Sequence, residues 1–247
     1  MKTLLSILVI LLCLLPNVSF AARGCGATSG TGAGDIITTG SLASSTARTI
    51  WLRFYLNTAG ATSQRLMTNT DSTLIDTIRV NSALGITYDA GWTTTDGAWT
   101  IALPSTGAWH TLAITYDGAA TTNDPIFYYD GTTPAVTENQ APVGTLRGAS
   151  QPRNLCSRHD GASTTDGMLA EFAIWSSVLT AGNIASLEAG IRPDSIGVAP
   201  VSYMKLCGTT SPEPNEVIGG VTGAVTGALA QPHAYLNCQT KKSGMHR

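Results

Sequence analysis

The sequence predicts an all-β protein, a two-sheet antiparallel sandwich with one short helix near residues 180–190. Three observations predict it. Apolar residues recur with period two along most of the chain. The β-prone runs are separated by Asp-Gly steps and clusters of Gly, Thr and Ser, residues that reverse a chain. Helical spacing occurs in one late segment, and many short strands with a lone helix point to two stacked sheets.

The N-terminal segment stands outside this fold. Lys2 precedes an apolar run from Leu4 to Leu15, which Pro16 and Asn17 break, and Ser19-Phe20-Ala21 puts small residues at the two positions a signal peptidase reads. A secretory signal over residues 1–21 is expected, followed by a single domain over 22–247. The apolar run falls short of the roughly 20 residues that a membrane-spanning helix needs. No membrane span is expected after signal removal, and the location is extracellular or periplasmic.

Strands are expected at Asp35–Thr39, Thr49–Leu56, Arg65–Asn69, Ile75–Val80, Leu84–Tyr88, Ala98–Leu103, Trp109–Tyr116, Ile126–Tyr129, Asn154–Arg158, Met168–Trp175 and Pro200–Leu206. In the second of these, Ile50, Leu52, Phe54 and Leu56 share one face, while Trp51, Arg53 and Tyr55 make the other amphipathic. Asp96-Gly97, Asp117-Gly118, Asp130-Gly131, Asp160-Gly161 and Asp166-Gly167 read as turns. Thr180 is the expected N-cap of a helix over 181–189, with Ile184 and Leu187 facing the sheet and Gly190 as its stop. Gly182 costs that helix about 1 kcal/mol, so packing must hold it. Beyond Ser211-Pro212-Glu213-Pro214, a twice-repeated Val-Thr-Gly-Ala reads as an extended segment over about 208–247, lying along the sandwich.

Charge and cysteine usage narrow the function. A net charge of −2 with both signs scattered offers no basic patch for nucleic acid. Once Cys13 leaves with the signal, Cys25, Cys156, Cys207 and Cys238 remain, and in an oxidising compartment they allow three pairings. A Cys25–Cys238 bridge would tie the termini together, while Cys156 and Cys207 lie in expected strands where an unbridged cysteine also packs well.

Two blocks carry a family resemblance. Trp109-His110-Thr111-Leu112-Ala113-Ile114-Thr115-Tyr116-Asp117-Gly118 is followed by Ile126-Phe127-Tyr128-Tyr129-Asp130-Gly131. Further on, Asp166-Gly167-Met168-Leu169-Ala170-Glu171-Phe172-Ala173-Ile174-Trp175 is followed by Leu179, Thr180, Ile184, Leu187, Gly190 and Pro193. In this order they resemble the strand–turn–strand and strand–helix motifs of the laminin-G-like jelly rolls, a branch of the concanavalin A-like lectin/glucanase superfamily. The residues also make sense as packing: Trp109, Leu112, Ile114 and Tyr116 can fill a core between sheets.

The resemblance implies a concanavalin A-like jelly roll and raises the question of catalysis. Retaining glycosidases need two carboxylates about 5–5.5 Å apart, and the E-x-D-x-x-E arrangement of the superfamily's glucanases is absent here. Glu171 stands alone on its strand. Ser202 and Lys205 have S-x-x-K spacing without a helix start, and His110 reads as a strand residue satisfied at the sheet surface. No catalytic residue is expected.

Calcium at the sandwich rim is the cofactor the resemblance implies. The oxygen-rich candidates are Asn69 with Asp71, Asn123 with Asp124, and Asp160 with Asp166, the last pair preferred; turn chemistry alone also explains each. For a ligand, Tyr88, Trp92 and Trp99 cluster around a Gly- and Thr-rich loop and could present aromatic faces to a sugar. The expected function is therefore a secreted, non-catalytic module binding a polysaccharide or glycoprotein through rim loops. The alternative is an adhesion or coat protein that uses the sandwich for packing against a protein partner.

Overall fold

The computed structural model describes residues 21–25, 35–42, 45–60, 63–70, 73–148, 150–207, 212, 214–217, 220, 222–227 and 230–232. They form two antiparallel sheets packed as a sandwich. The first sheet runs in the order β15 (Ala230–Pro232), β1 (Ala21–Cys25), β12 (Gly167–Trp175), β3 (Ala47–Leu56), β8 (Trp109–Asp117) and β9 (Ile126–Tyr129). A short β13 (Ser202–Met204) also pairs with β12. The second sheet runs β10 (Thr137–Gln140), β7 (Gly97–Ile101), β6 (Gly85–Ala90), β5 (Asp76–Asn81), β4 (Gln64–Asn69), β11 (Arg153–Leu155), β2 (Ile36–Thr38) and β14 (Ala224–Thr226).

Alternation made these strands legible. Ile50, Leu52, Phe54 and Leu56 of β3 turn inward and are almost fully buried, facing the inner residues of the second sheet. The expected run at 126–129 is β9 unchanged, whereas β3 starts two residues early because Ala47 pairs with Asp117. The expected strand at 154–158 stops at Leu155, since Cys156 adopts a φ of +75° that strand pairing does not tolerate. Two strands carried no alternation to read: β10 is exposed throughout, and β1 is the start of the described chain. The C-terminal segment, described in part, divides between the sheets: β14 edges the second and β15 pairs β1 in the first.

The structure decides among the three cysteine pairings that the sequence left open. Cys25 is bonded to Cys156, and not to Cys238, with the two Cα atoms 5.5 Å apart. Cys25 ends β1 in the first sheet and Cys156 follows β11 in the second, so the bridge joins the two layers. Cys207 is also disulfide-bonded. Cys238 and the expected signal up to Phe20 lie outside the described residues.

The Asp-Gly steps separate into two kinds. Asp130-Gly131 is the expected two-residue hairpin turn, with φ of 46° and 74°. Gly167 instead begins β12 where a Cβ would lie 1.9 Å from the Tyr55 carbonyl oxygen, and one on Gly97 would meet the Trp99 ring at 2.2 Å. These glycines permit close approach rather than reversal.

Helix α1 (Ala181–Glu188) is where the sequence puts it. Thr180 Oγ1 accepts from the Asn183 amide, and the Asn183 side chain accepts from the Thr180 amide, closing a capping box. Leu179, Ile184 and Leu187 cover Trp51, Ala113, Ala173, Trp175 and Tyr203 on the outer face of the first sheet. The helix stops short of that face's far end, and this sets the place of the site.

Candidate functional site

The three aromatics expected at a ligand site lie in the core. Tyr88 and Trp99 are fully buried and Trp92 is 2% exposed. Strand parity turns Tyr88 and Trp99 inward, where they stack at 6.3 Å between ring centroids. The Tyr88 hydroxyl donates to Asp76 at 2.7 Å and the Trp99 indole to Asp124 at 2.7 Å. Trp92 is anchored by its amide to Asp96 at 2.8 Å and by bridge pairing with Leu146. None of the three presents a face on which a sugar could stack.

The oxygen-rich pairs named from the sequence are engaged within the protein itself. Asp160 is ion-paired with Arg158 and accepts from the Ala162 amide, contacts that hold its carboxyl well below the usual range. Asp166 accepts from Asn57 at 2.9 Å and Thr58 at 2.8 Å. Asn69 organises its own loop through Thr73 and Ile75, and Asn123 donates to the Asp117 carbonyl. Asp71 lies outside the described residues. Among the described residues no three His, Cys, Asp or Glu side chains converge as metal ligands would.

The outer face of the first sheet tells a different story. Register places Tyr55 opposite Trp109 and Arg53 opposite both Thr111 and Glu171. Trp109 was expected in the core with Leu112, Ile114 and Tyr116, but its odd position turns it outward, and it remains half-exposed. Its ring meets that of Tyr55 at 5.7 Å. With Arg53, Gly107, Ala108, Thr111, Asp130 and Glu188 they line a groove of about 560 Å³ at the C-terminal end of α1. Thr111 orders the floor: its hydroxyl donates to Glu188 Oε2 at 2.6 Å and its amide to Asp130 Oδ1 at 2.8 Å. Glu188 Oε1 is buried without a hydrogen-bond partner among the described residues.

Arg53 is held in place from behind. Its guanidinium lies over the Trp51 ring at 5.3 Å, and its Nε is 3.0 Å from Glu171 Oε2, an ion pair too bent for a hydrogen bond. Glu171 is 3% exposed and accepts from the Tyr203 hydroxyl at 2.7 Å. Burial pushes its carboxyl up against the opposing pull of Tyr203 and Arg53. The carboxylate that stood alone in sequence is thus sealed beneath β13, positioning Arg53.

His110 is buried rather than satisfied at the surface as expected. Its ring sits between Phe54 and Tyr129. Nδ1 is 2.7 Å from Asp130 Oδ2 and Nε2 is 3.0 Å from Ser105 Oγ, the spacing of a serine–histidine–aspartate set. Nε2 is also 3.1 Å from the Ser105 carbonyl, and Ser105 lies in an exposed loop rather than on a strand-to-helix elbow. The set ties the 104–108 loop, β8 and the Asp130-Gly131 turn into one wall of the groove.

With this geometry the chain can be set beside known proteins. Residues 29–185 match the laminin-G-type family described as the concanavalin A-like lectin/glucanases superfamily. The chain belongs to this family. No curated protein matches it in sequence. Among solved structures, this concanavalin A-like chain is similar to a candidate carbohydrate binding protein from Bacteroides ovatus, at 17% identity and a TM-score of 0.64 over 88% of this chain. It spans 61% of that protein's length. It is also similar to the heptameric SAP-like pentraxin from Limulus polyphemus, at 11% identity and a TM-score of 0.49, covering 86% of this chain and 98% of that one. The likeness to the Bacteroides ovatus protein speaks for a shared fold.

Proposed function

We propose that this chain is a secreted, non-catalytic module that binds a glycan in the groove on the outer face of its first sheet. The observation that carries this reading is the Tyr55–Trp109 ring pair lining the groove beside the accessible side chains of Asp130 and Arg53. Aromatic rings take the apolar face of a sugar, while a carboxylate such as Asp130 and a guanidinium such as Arg53 hydrogen-bond its hydroxyls, the usual division of labour in a binding site. At about 560 Å³ the groove is in the size range of small-ligand sites. The Bacteroides ovatus protein of the same fold is named for carbohydrate binding, which agrees with this reading. Export is supported by the leader pattern and by the Cys25–Cys156 disulfide.

The test is binding of the purified mature chain to a panel of immobilised polysaccharides, first with calcium and then with chelator, alongside Trp109→Ala. Selective binding that survives chelator and is lost in the variant supports the reading. Silence across the panel overturns it in favour of packing against a protein partner. Release of reducing sugar, or ester hydrolysis that Ser105→Ala abolishes, would overturn the non-catalytic part.

A further inference from the structure

Away from the groove, one end of the sandwich interior carries more positive charge than its neighbours among the described residues neutralise. Arg48 of β3 and Arg153 of β11 enter from opposite sheets, 5% and 4% exposed, and converge on Asp76 at the start of β5. Arg48 Nη1 lies 2.5 Å from Asp76 Oδ1 and Arg153 Nη2 lies 2.9 Å from Oδ2. The Tyr88 hydroxyl also donates to Oδ1. One carboxylate thus serves two guanidinium groups, and the buried set keeps a net charge of +1. Arginine cannot shed that charge by losing a proton.

Donors are in excess as well. Both oxygens of Asp76 are engaged, yet the Nε groups of Arg48 and Arg153 are buried without an acceptor among the described residues. A small cavity of about 20 Å³ lies against this cluster, lined by Arg48, Asp76, Arg147, Arg153, Ser45 and Ser176 among others. Arg147 brings no further imbalance, since it pairs with Asp96 at 3.0 Å. A recess this size holds about one water-sized sphere, and because it opens partly to solvent rather than being sealed, a larger halide can seat at it.

We propose that this cavity binds one small monovalent anion of halide size, which neutralises the Arg48–Asp76–Arg153 set and accepts from its unused guanidinium N–H groups. The site is separate from the glycan groove and does not depend on it. A buried charge left unopposed is costly, so occupancy must add to stability, and a ligand that binds only the folded state raises its melting temperature in a saturable way.

The test uses sodium bromide as the probe. Crystals of the chain grown in bromide should show an anomalous peak in the cavity within hydrogen-bonding reach of both arginines. At constant ionic strength, replacing gluconate by bromide should raise the melting temperature to a plateau, and Arg153→Met should abolish that dependence. The crystal measurement stands even if the variant does not fold. Absence of the peak together with a flat response would overturn the proposal, leaving a cavity that holds water alone. A response to acetate but not bromide would overturn the halide in favour of a carboxylate.

Discussion

The rings of Tyr55 and Trp109 meet across two neighbouring strands at 5.7 Å between centroids, tilted by 57°, on a face of the sheet that α1 leaves open. This pair anchors one wall of the groove, and Glu188, at the end of α1, contributes the other. Replacing Trp109 by Ala should weaken glycan binding by about 2 kcal/mol, roughly thirtyfold, as expected for an aromatic anchor. Because the ring is only partly buried, the melting temperature should fall much less than on truncating a core tryptophan. Isothermal titration against the best ligand of the panel, with a thermal melt of the same sample, checks both parts.

Trp92→Ala should behave in the opposite way. Its ring is 2% exposed and packed in the core, so truncation leaves a cavity and should cost about 3–5 kcal/mol of stability. Glycan affinity per folded molecule should be unchanged. A denaturant titration, with binding measured well below the unfolding midpoint, distinguishes a core residue from a ligand platform.

Asp76 should set the acid limit of stability. Burial alone would push its carboxyl up, but Arg48 and Arg153, with the Tyr88 and Arg48 hydrogen bonds, bring it below its ordinary 3.8. A carboxyl depressed in the folded state adds stability above its unfolded value and loses it as the pH falls through the folded one. Urea unfolding measured at intervals from about pH 7 to pH 2 should therefore show stability declining below roughly pH 4. Asp76→Asn should start about 3–5 kcal/mol lower, because two buried guanidinium groups lose their partner, and its decline should be shallower.

The Cys25–Cys156 bridge closes a loop of 131 residues and joins the two sheets. The double variant Cys25→Ser with Cys156→Ser should lose about 2–5 kcal/mol, chiefly by enlarging the unfolded ensemble. Unfolding of the variant beside the wild-type chain, both without reductant so that the Cys207 disulfide persists, measures it.

What the sequence by itself determined is the sandwich. A strand buries alternate side chains, so the period of Ile50, Leu52, Phe54 and Leu56 can be read without knowing what they pack against. The helix was legible for the same local reason, through the Thr180 cap and the Ile184 and Leu187 spacing. Part of the site was also there to be read. Trp109 is out of phase with Leu112, Ile114 and Tyr116, as Tyr55 is with Phe54 and Leu56, and that parity alone sends both rings outward. Only the tertiary structure decided which outward face stays open, since that depends on where α1 lies across β3, β8 and β12. It also decided the burial of Trp92, whose loop is held by Leu146 and Asp96, and the pairing of Cys25 with Cys156. Local periodicity reports a residue's own strand, while a site or a bridge is made by segments distant in the chain that meet only when the sheets close.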